Sequence, residues 1–385
     1  MTKSSLGHLP FLDLLRGVSV FFVFAYHALA EAFTPHTIEW DGLFRDFGAS
    51  GSLLATIPFQ FGWMGVASFF VVSGFCVHLS WLRSGADGWK VFLGRRFLRI
   101  YPPYLAALLA VAMMFPLGLY PGEEAPSSAN LLAHLSLLHN LHPSTIYAYA
   151  VSFWSIAVEF QLYLLFPLVI LAQRRWGWGA TLVLLAILEV GARSAASASL
   201  VAGWDFPDVA LDTPFAYWFS WSLGAFLADT LAQGRTVFLE RIPAWPWLAL
   251  VVASFFVLPL EPLDFTFASL ATYALLGRQV RSGGFAPRAW LAKLWAAHAT
   301  RVGIVSFSVY LFHEPILKLG MSGFDLLGAE HAHPLLRLAL CFCFWPISVM
   351  AGNLSYKWLE APSIALGRTF AKVVVARASS TGKAR

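Results

Sequence analysis

Ten apolar stretches of about 20 residues divide this 385-residue chain, and each is long enough for an α-helix to cross a lipid bilayer. The pair at 245–280 is the weakest, because Pro259 and Pro262 interrupt it, so nine or eleven spans also fit the pattern. The sequence predicts an all-α, polytopic transmembrane bundle of about ten spans, at 12–31, 61–82, 98–119, 151–172, 179–198, 213–233, 245–260, 263–280, 302–320 and 337–358.

The loops between these stretches alternate in charge, which tests the span count independently. Alternate loops contain 22 of the 26 basic residues, at 1–16, 83–99, 173–178, 234–244, 278–301 and 357–385. The other loops contain Arg45 alone among basic residues, against twelve acidic ones, at 32–60, 120–150, 199–212, 261–264 and 320–336. Because Lys and Arg accumulate in short cytoplasmic loops, both termini are predicted to lie in the cytoplasm.

The composition excludes a soluble globular protein. Hydrophobic residues make up 58% of the chain and charged residues 12%, whereas soluble domains have roughly 25% charged residues. The net charge of +5 comes from the basic loops, so no nucleic-acid partner is expected. Cys76, Cys341 and Cys343 lie in apolar runs and are interpreted as small core residues, and no metal site is expected.

We expect two segments in this chain, a transmembrane domain over residues 1–371 and a disordered cytoplasmic tail over 372–385. The longest outer loop contains a mildly apolar piece, Leu131 to Leu138, that could form an interfacial helix. No internal repeat is evident.

Ionisable residues inside the spans are candidates for function, because charge is costly in a bilayer. In the first span Arg16 and His27 lie eleven residues apart, on nearly one helix face and about 16 Å apart along the axis. Arg16 is expected at the cytoplasmic end and His27 near mid-membrane. The structural alternative is a histidine hydrogen-bonded to a neighbouring helix and an arginine extended to the headgroups.

A basic cluster occurs in GRRFLRIYPPYL, where Arg95 and Arg96 precede Arg99 by four and three residues. A helix would aim all three toward one region on the cytoplasmic side. Guanidinium groups match phosphate oxygens, so the cluster suits a phosphate-rich ligand such as coenzyme A. An ordinary positive loop is the alternative.

Three further polar residues fall near the depth of His27. Glu159 lies about 12 Å below the outer edge of its span, and Ser73 and His313 lie near the midplane of theirs. Glu159 could orient the imidazole, accept a hydrogen bond from a sugar hydroxyl, or form a structural ion pair with a buried Arg or Lys. Ser73 with Gly74 could instead be small-residue helix packing, and His313 with Pro315 could mark a kink.

Taken together, six segments resemble the membrane-bound acyltransferase-3 family, which O-acylates surface polysaccharides, lipopolysaccharide, peptidoglycan and some small molecules. The resemblance covers about residues 10–363, with the segments in the expected order. They are LDLLRGVSVFFVFAYHA from residue 12, FFVVSGF at 69–75, RRFLRIYPPY at 95–104, FWSIAVEFQLYLLFP at 153–167, SVYLFHEP at 308–315 and SYKWLEAP at 355–362. Phe160 stands where a second polar residue is frequent in the family, and Phe312 where Tyr or Trp often precedes the histidine.

The resemblance implies specific roles. His27 would be catalytic, as general base or as a transient acyl carrier, and Glu159 would complete the site. Arg16, Arg95, Arg96 and Arg99 would bind the donor, acetyl-CoA or another acyl-CoA, without a metal. Ser73, Ser155, Tyr310 and His313 are further site candidates within the matching segments.

The implied activity is transfer of an acyl group, expected to be acetyl, from cytoplasmic acyl-CoA to a hydroxyl of a cell-envelope or exported carbohydrate. The expected acceptor is a carbohydrate or lipid-linked glycan, and the expected location is the inner (plasma) membrane. Some relatives continue into a hydrolase-like domain, whereas only about 25 residues follow the last span here. We therefore expect the acceptor to reach the membrane site or a separate periplasmic protein to serve it.

Two readings outside this family also fit parts of the pattern. A transporter could use the midplane His and Glu as a proton relay. A scaffold subunit would bind no coenzyme A.

Overall fold

The structure, a computed structural model, describes residues 9–33, 56–84, 88–119, 125–202, 208–282 and 289–382. Helices form most of this part of the chain, and no strand occurs in it, so the all-α class is confirmed. The helices of eight or more residues are labelled in order: α1 Pro10–Ala32, α2 Met64–Ser84, α3 Trp89–Met114, α4 Ser128–Leu135, α5 Phe153–Ala202, α6 Trp218–Ala232, α7 Ala244–Phe256, α8 Asp264–Arg281, α9 Trp290–Ile304, α10 Ser306–Leu326, α11 Pro334–Phe342, α12 Phe344–Ser355 and α13 Ala361–Gly382.

Each predicted span coincides with one or more of these helices, but their lengths differ from the prediction. Within the described ranges, five helical segments are long and apolar enough to cross a bilayer, or six if the bent pair α9 and α10 counts as one span. The polytopic membrane class is supported, whereas the count of ten and the cytoplasmic termini stay predictions. Most of the acidic loop 32–60, with 120–124 and 203–207, lies outside the described residues.

Local sequence signals explain several helix boundaries. Pro10 occupies the first turn of α1, where its fixed φ favours helix and its missing N–H is not needed. Ser127 caps α4 by accepting a hydrogen bond from the Asn130 N–H, and α4 confirms a helix in the outer segment where one was expected. Gly177, at φ 77°, breaks α5 between its two predicted spans.

The C-terminal segment differs from the prediction. Residues from Lys372 were expected to be disordered, whereas α13 continues to Gly382. Ala371 of this helix is fully buried, so the helix is packed against the bundle up to the start of this segment. Residues 383–385 lie outside the described ranges.

Small residues let α2 and α6 cross at close range. A Cβ at Gly224 would lie 1.8 Å from the Val71 carbonyl oxygen, and a Cβ at Gly74 would lie 1.9 Å from that of Trp221. α1 and α9 meet in the same way, since a Cβ at Gly303 would lie 1.7 Å from the Asp13 carbonyl oxygen. α1 meets α2 at Gly65, where a Cβ would lie 2.4 Å from the Ser19 carbonyl oxygen, so small residues bring α1, α2 and α6 together around the polar residues described below.

Two interruptions of helix geometry bear on the site. α9 ends at Ile304 and α10 begins at Ser306 after an 89° bend, so the predicted span 302–320 is broken near its start. A five-residue π-helix, Tyr356–Glu360, joins α12 to α13. Such insertions re-aim side chains and are frequent at functional sites.

Candidate active site

A partly open cavity, here called the central cavity, lies among α1, α2, α3, α5 and α10. One part of its wall is charged, with three arginines and two glutamates, and the other part is mainly apolar and aromatic. The lining residues are Arg16, Val66, Phe69, Phe70, Ser73, Cys76, Val77, Arg96, Arg99, Ile100, Ser155, Ile156, Glu159, Tyr163, Gly303, Ile304, Ser306, Phe307, Tyr310 and Glu360.

Three of the four predicted donor-binding arginines line this cavity. Arg16 comes from α1, where its Nη2 lies 3.4 Å from the Cys76 Sγ, and Arg96 and Arg99 come from α3. The Arg96 guanidinium also lies over the Tyr163 ring, 5.8 Å from its centroid. Three fixed guanidinium groups in one cavity are suited to an anionic ligand with several oxygen atoms.

Arg95 differs from its predicted position. It does not line the central cavity, and its backbone lies 3.6 Å from where a Cβ at Gly367 of α13 would be placed. Residues three and four apart both share a helix face, so the spacing alone places Arg95 as well as Arg96 near Arg99. In the structure Arg96 and Arg99 line the cavity, whereas the backbone of Arg95 lies against α13.

Glu159 lies in the cavity wall within a hydrogen-bonded group. Its Oε1 accepts hydrogen bonds from the Ser73 hydroxyl at 2.6 Å and the Tyr163 hydroxyl at 2.5 Å. The Trp221 indole N–H donates in turn to the Ser73 oxygen at 3.2 Å. Ser73 therefore donates to Glu159, and the adjacent Gly74 packs against α6, as the small-residue interpretation of this pair predicted.

His27 belongs to a second polar group, which includes His313 and Glu314. The His27 Nδ1 lies 3.2 Å from the His313 Nε2 and 3.9 Å from the Glu314 Oε2. The carboxylate beside His27 is therefore Glu314, whereas Glu159 was expected there. Ser73 with Glu159 and His27 with His313 thus form two separate polar groups.

The hydrogen bonds of His313 define which nitrogen of His27 holds the proton. The His313 Nδ1 lies 2.6 Å from the Tyr310 carbonyl oxygen, which can only accept, so Nδ1 carries the hydrogen. In a neutral His313 the Nε2 then accepts, and the His27 Nδ1 must donate to it. This tautomer leaves a lone pair on the His27 Nε2, the atom required of a general base.

Glu314 connects the His27 group to the start of α5. Its two carboxylate oxygens accept hydrogen bonds from the backbone N–H groups of Val151, at 2.9 Å, and Ser152, at 2.7 Å. Both residues directly precede α5, which contains Ser155 and Glu159. Glu314 thereby ties α10 to the helix that lines the central cavity.

Two hydroxyl groups lie between the central cavity and the histidines. The Tyr310 hydroxyl is 2.6 Å from the Ser155 Oγ, and both residues line the cavity. Tyr310 also holds His313 through its carbonyl oxygen, and the two rings are 5.4 Å apart between centroids. A ligand in the cavity therefore meets this hydroxyl pair on the side that leads to His27.

Sequence reasoning assigned no role to several residues in these groups. Glu314, Glu360 and Tyr163 stand within the matching segments, and the two glutamates are isolated acids in apolar surroundings, a signal that could have marked them. Cys76 lines the cavity and Cys343 is exposed, so among the cysteines Cys341 alone fits the expected buried position. In the described ranges no group of three or more His, Cys, Asp or Glu residues is arranged to hold a metal ion.

Comparison with known proteins gives matches along almost the whole chain. The sequence profile of a family described as an acyltransferase domain matches residues 9–356. Peptidoglycan O-acetyltransferase OatA of Listeria monocytogenes serovar 1/2a is 23% identical over 391 residues, which cover 94% of this chain and 56% of that protein. Acyltransferase MdmB of Streptomyces mycarofaciens is 28% identical over 379 residues, covering 93% of this chain and 92% of that protein. No solved structure matches.

Proposed function

Because the chain belongs to the acyltransferase-3 family and is an acyltransferase, we propose that it moves an acyl group from cytoplasmic acyl-CoA to a hydroxyl of an envelope or exported carbohydrate. The family and the reaction class predicted from the sequence are confirmed by these matches. A transporter function is not retained, since the relatives are named as acyltransferases.

The observation that carries the proposal is a cavity with three arginines in its wall and a hydroxyl pair on the side toward His27. Coenzyme A has phosphate groups joined through a long arm to a thioester. We propose that Arg16, Arg96 and Arg99 bind the phosphates, and that the arm extends through the apolar part of the cavity. The thioester then lies beside Tyr310, on the side that leads to His27.

The proposed reaction uses His27 as the general base. Its Nε2 takes the proton from the acceptor hydroxyl while the hydroxyl oxygen attacks the thioester carbonyl carbon. The tetrahedral intermediate then breaks its carbon–sulfur bond, and the coenzyme A thiolate takes up the proton from the imidazolium. The products are an ester and free coenzyme A. A transient acyl group on His27 is the second route open to these residues.

The acceptor and its location belong to the same proposal. The Listeria relative is named for O-acetylation of peptidoglycan, which supports an acetyl donor and a carbohydrate acceptor on the outer side of the plasma membrane. A separate periplasmic protein that completes delivery to the acceptor is part of the proposal.

Binding of acetyl-CoA to the purified protein tests the donor. Arg99→Ala should weaken the affinity about 10- to 100-fold, because a hydrogen bond to a charged group contributes roughly 1.5–3 kcal/mol. Arg174→Ala is the matched control, since Arg174 is exposed and does not line the central cavity. Equal affinities in the two variants would contradict the donor site.

Transfer of labelled acetyl groups tests the chemistry. His27→Ala should abolish transfer while leaving acetyl-CoA binding near the wild-type level, because His27 does not line the central cavity. His331→Ala, which replaces a solvent-exposed histidine, should transfer normally. Retained transfer in the His27 variant would rule out its role as the base.

A further inference from the structure

We propose that the Tyr310 hydroxyl donates a hydrogen bond to the carbonyl oxygen of the acyl thioester, and that Ser155 positions this hydroxyl. The inference rests on the proposed function, because it assigns a role in acyl transfer to a residue beside the donor cavity. Tyr310 would thereby act as the electrophilic group that complements the base His27.

The geometry gives the Tyr310 hydroxyl a defined orientation. The Ser155 hydroxyl donates to the Ser152 carbonyl oxygen at 3.1 Å, so within the 2.6 Å pair Tyr310 is the donor and Ser155 the acceptor. The Tyr310 ring packs edge-on against Phe69, with centroids 5.8 Å apart. Both Tyr310 and Ser155 are 5% exposed, so bulk water competes little for the O–H group.

Two other hydroxyl groups of the cavity wall, those of Ser73 and Tyr163, are already engaged. Ser73 donates to Glu159 and accepts from Trp221, and Tyr163 donates to Glu159 as well. The Tyr310 hydroxyl pairs with a neutral serine, so its rotation toward a substrate oxygen leaves no charged group without a partner.

The position suits a group that receives developing negative charge. Ser155 lies in the first turn of α5, where the helix dipole is positive, and its hydroxyl is 2.6 Å from that of Tyr310. His313, held by the Tyr310 carbonyl, contacts His27. Base and hydroxyl are thus fixed relative to each other through one turn of α10.

In the proposed step, the acceptor oxygen forms its bond to the carbonyl carbon, and the π electron pair moves to the carbonyl oxygen. The Tyr310 O–H, which keeps its proton, stabilises that oxygen by a hydrogen bond. The electron pair then reforms the carbonyl as the coenzyme A thiolate leaves, and the thiolate takes the proton held by His27. No further reactant is needed.

Two coenzyme A analogues separate this role from a structural one. An acetonyl analogue, with methylene in place of sulfur, keeps the carbonyl, whereas S-ethyl-coenzyme A lacks it. Tyr310→Phe should weaken binding of the acetonyl analogue about 3- to 10-fold, as expected for one neutral hydrogen bond, and leave S-ethyl-coenzyme A binding unchanged. It should also lower kcat for transfer about 100- to 1000-fold, whereas KM for acetyl-CoA should rise by no more than the same 3- to 10-fold.

Ser155→Ala is the second variant, and it should lower kcat less than Tyr310→Phe does, because the Tyr310 hydroxyl remains. Tyr273→Phe is the matched control, since Tyr273 is a fully buried tyrosine outside the central cavity. Equal effects of Tyr310→Phe on the two analogues, or an unchanged kcat, would overturn the inference while the donor site stands. If wild-type protein binds neither analogue nor acetyl-CoA, the proposed function itself fails.

Discussion

Removal of the Glu314 side chain should destabilise the junction between α10 and α5. Its carboxylate accepts hydrogen bonds from the N–H groups of Val151 at 2.9 Å and Ser152 at 2.7 Å. A hydrogen bond to a charged group contributes roughly 1.5–3 kcal/mol. Ser152 is buried and Val151 is exposed, so in the variant water can replace part of the bond from Val151 but not the bond from Ser152. We expect Glu314→Ala to lower the free energy of unfolding by about 2–4 kcal/mol.

Glu314→Gln should cost about half as much, since the amide keeps one acceptor oxygen for the two N–H groups. The assay is unfolding in mixed detergent micelles, followed by circular dichroism. Glu330→Ala is the control, because Glu330 is an exposed glutamate that pairs only with the exposed His331 in the described part of the chain. If both Glu314 variants unfold within about 0.5 kcal/mol of wild type, as surface substitutions usually do, the reasoning is refuted.

Three further outcomes are expected. Gly224→Ala should reduce the yield of monodisperse protein and lower the free energy of unfolding by about 1–3 kcal/mol, because the new Cβ would lie 1.8 Å from a carbonyl oxygen of α2. Gly191→Ala should change neither quantity, because the space around Gly191 is open. In a Cys343→Ser background, bound coenzyme A should slow alkylation of Cys76 by a water-soluble maleimide, because Cys76 lines the central cavity beside Arg16; an unchanged rate would contradict this. Burial lowers the pKa of His134 to about 4 and that of the stacked His139 to about 3. The unfolded state therefore binds more protons than the folded state below pH 6.5, and stability should fall from pH 6.5 to pH 4. His139→Phe should make the melting temperature less dependent on pH over this range.

Much of the fold follows from local properties of the sequence. Apolar length and charge in the loops mark the helical segments, and each predicted span coincides with helix. The broken span at Val305 and the π-helix before Ala361 were not predicted, because a bend or an extra residue per turn depends on the helices packed around it. The extension of α13 likewise depends on burial of Ala371.

The candidate site could be predicted in part for the same reason. Arg16, Arg96 and Arg99 lie near the ends of predicted spans. Counting residues along the chain is therefore enough to predict that the three lie on the same side of the membrane. Arg95 was expected to join them, because residues three and four positions before Arg99 both share its side of a helix. Which of them lines the cavity depends on how α3 packs against its neighbours, and the helical period does not define that packing.

The membrane class and the family can be read from the linear chain, and candidate site residues can be proposed from it, because hydropathy, motif order and depth along a helix are local quantities. The contacts that those residues make in three dimensions cannot be read from the linear chain. His27 and His313 are 286 positions apart, and equal depth does not show which helices of a bundle are neighbours. Close crossings through glycine and the bend before α10 bring Glu314 to His27 and leave Glu159 with Ser73, because side-chain contacts depend on how helices pack in three dimensions.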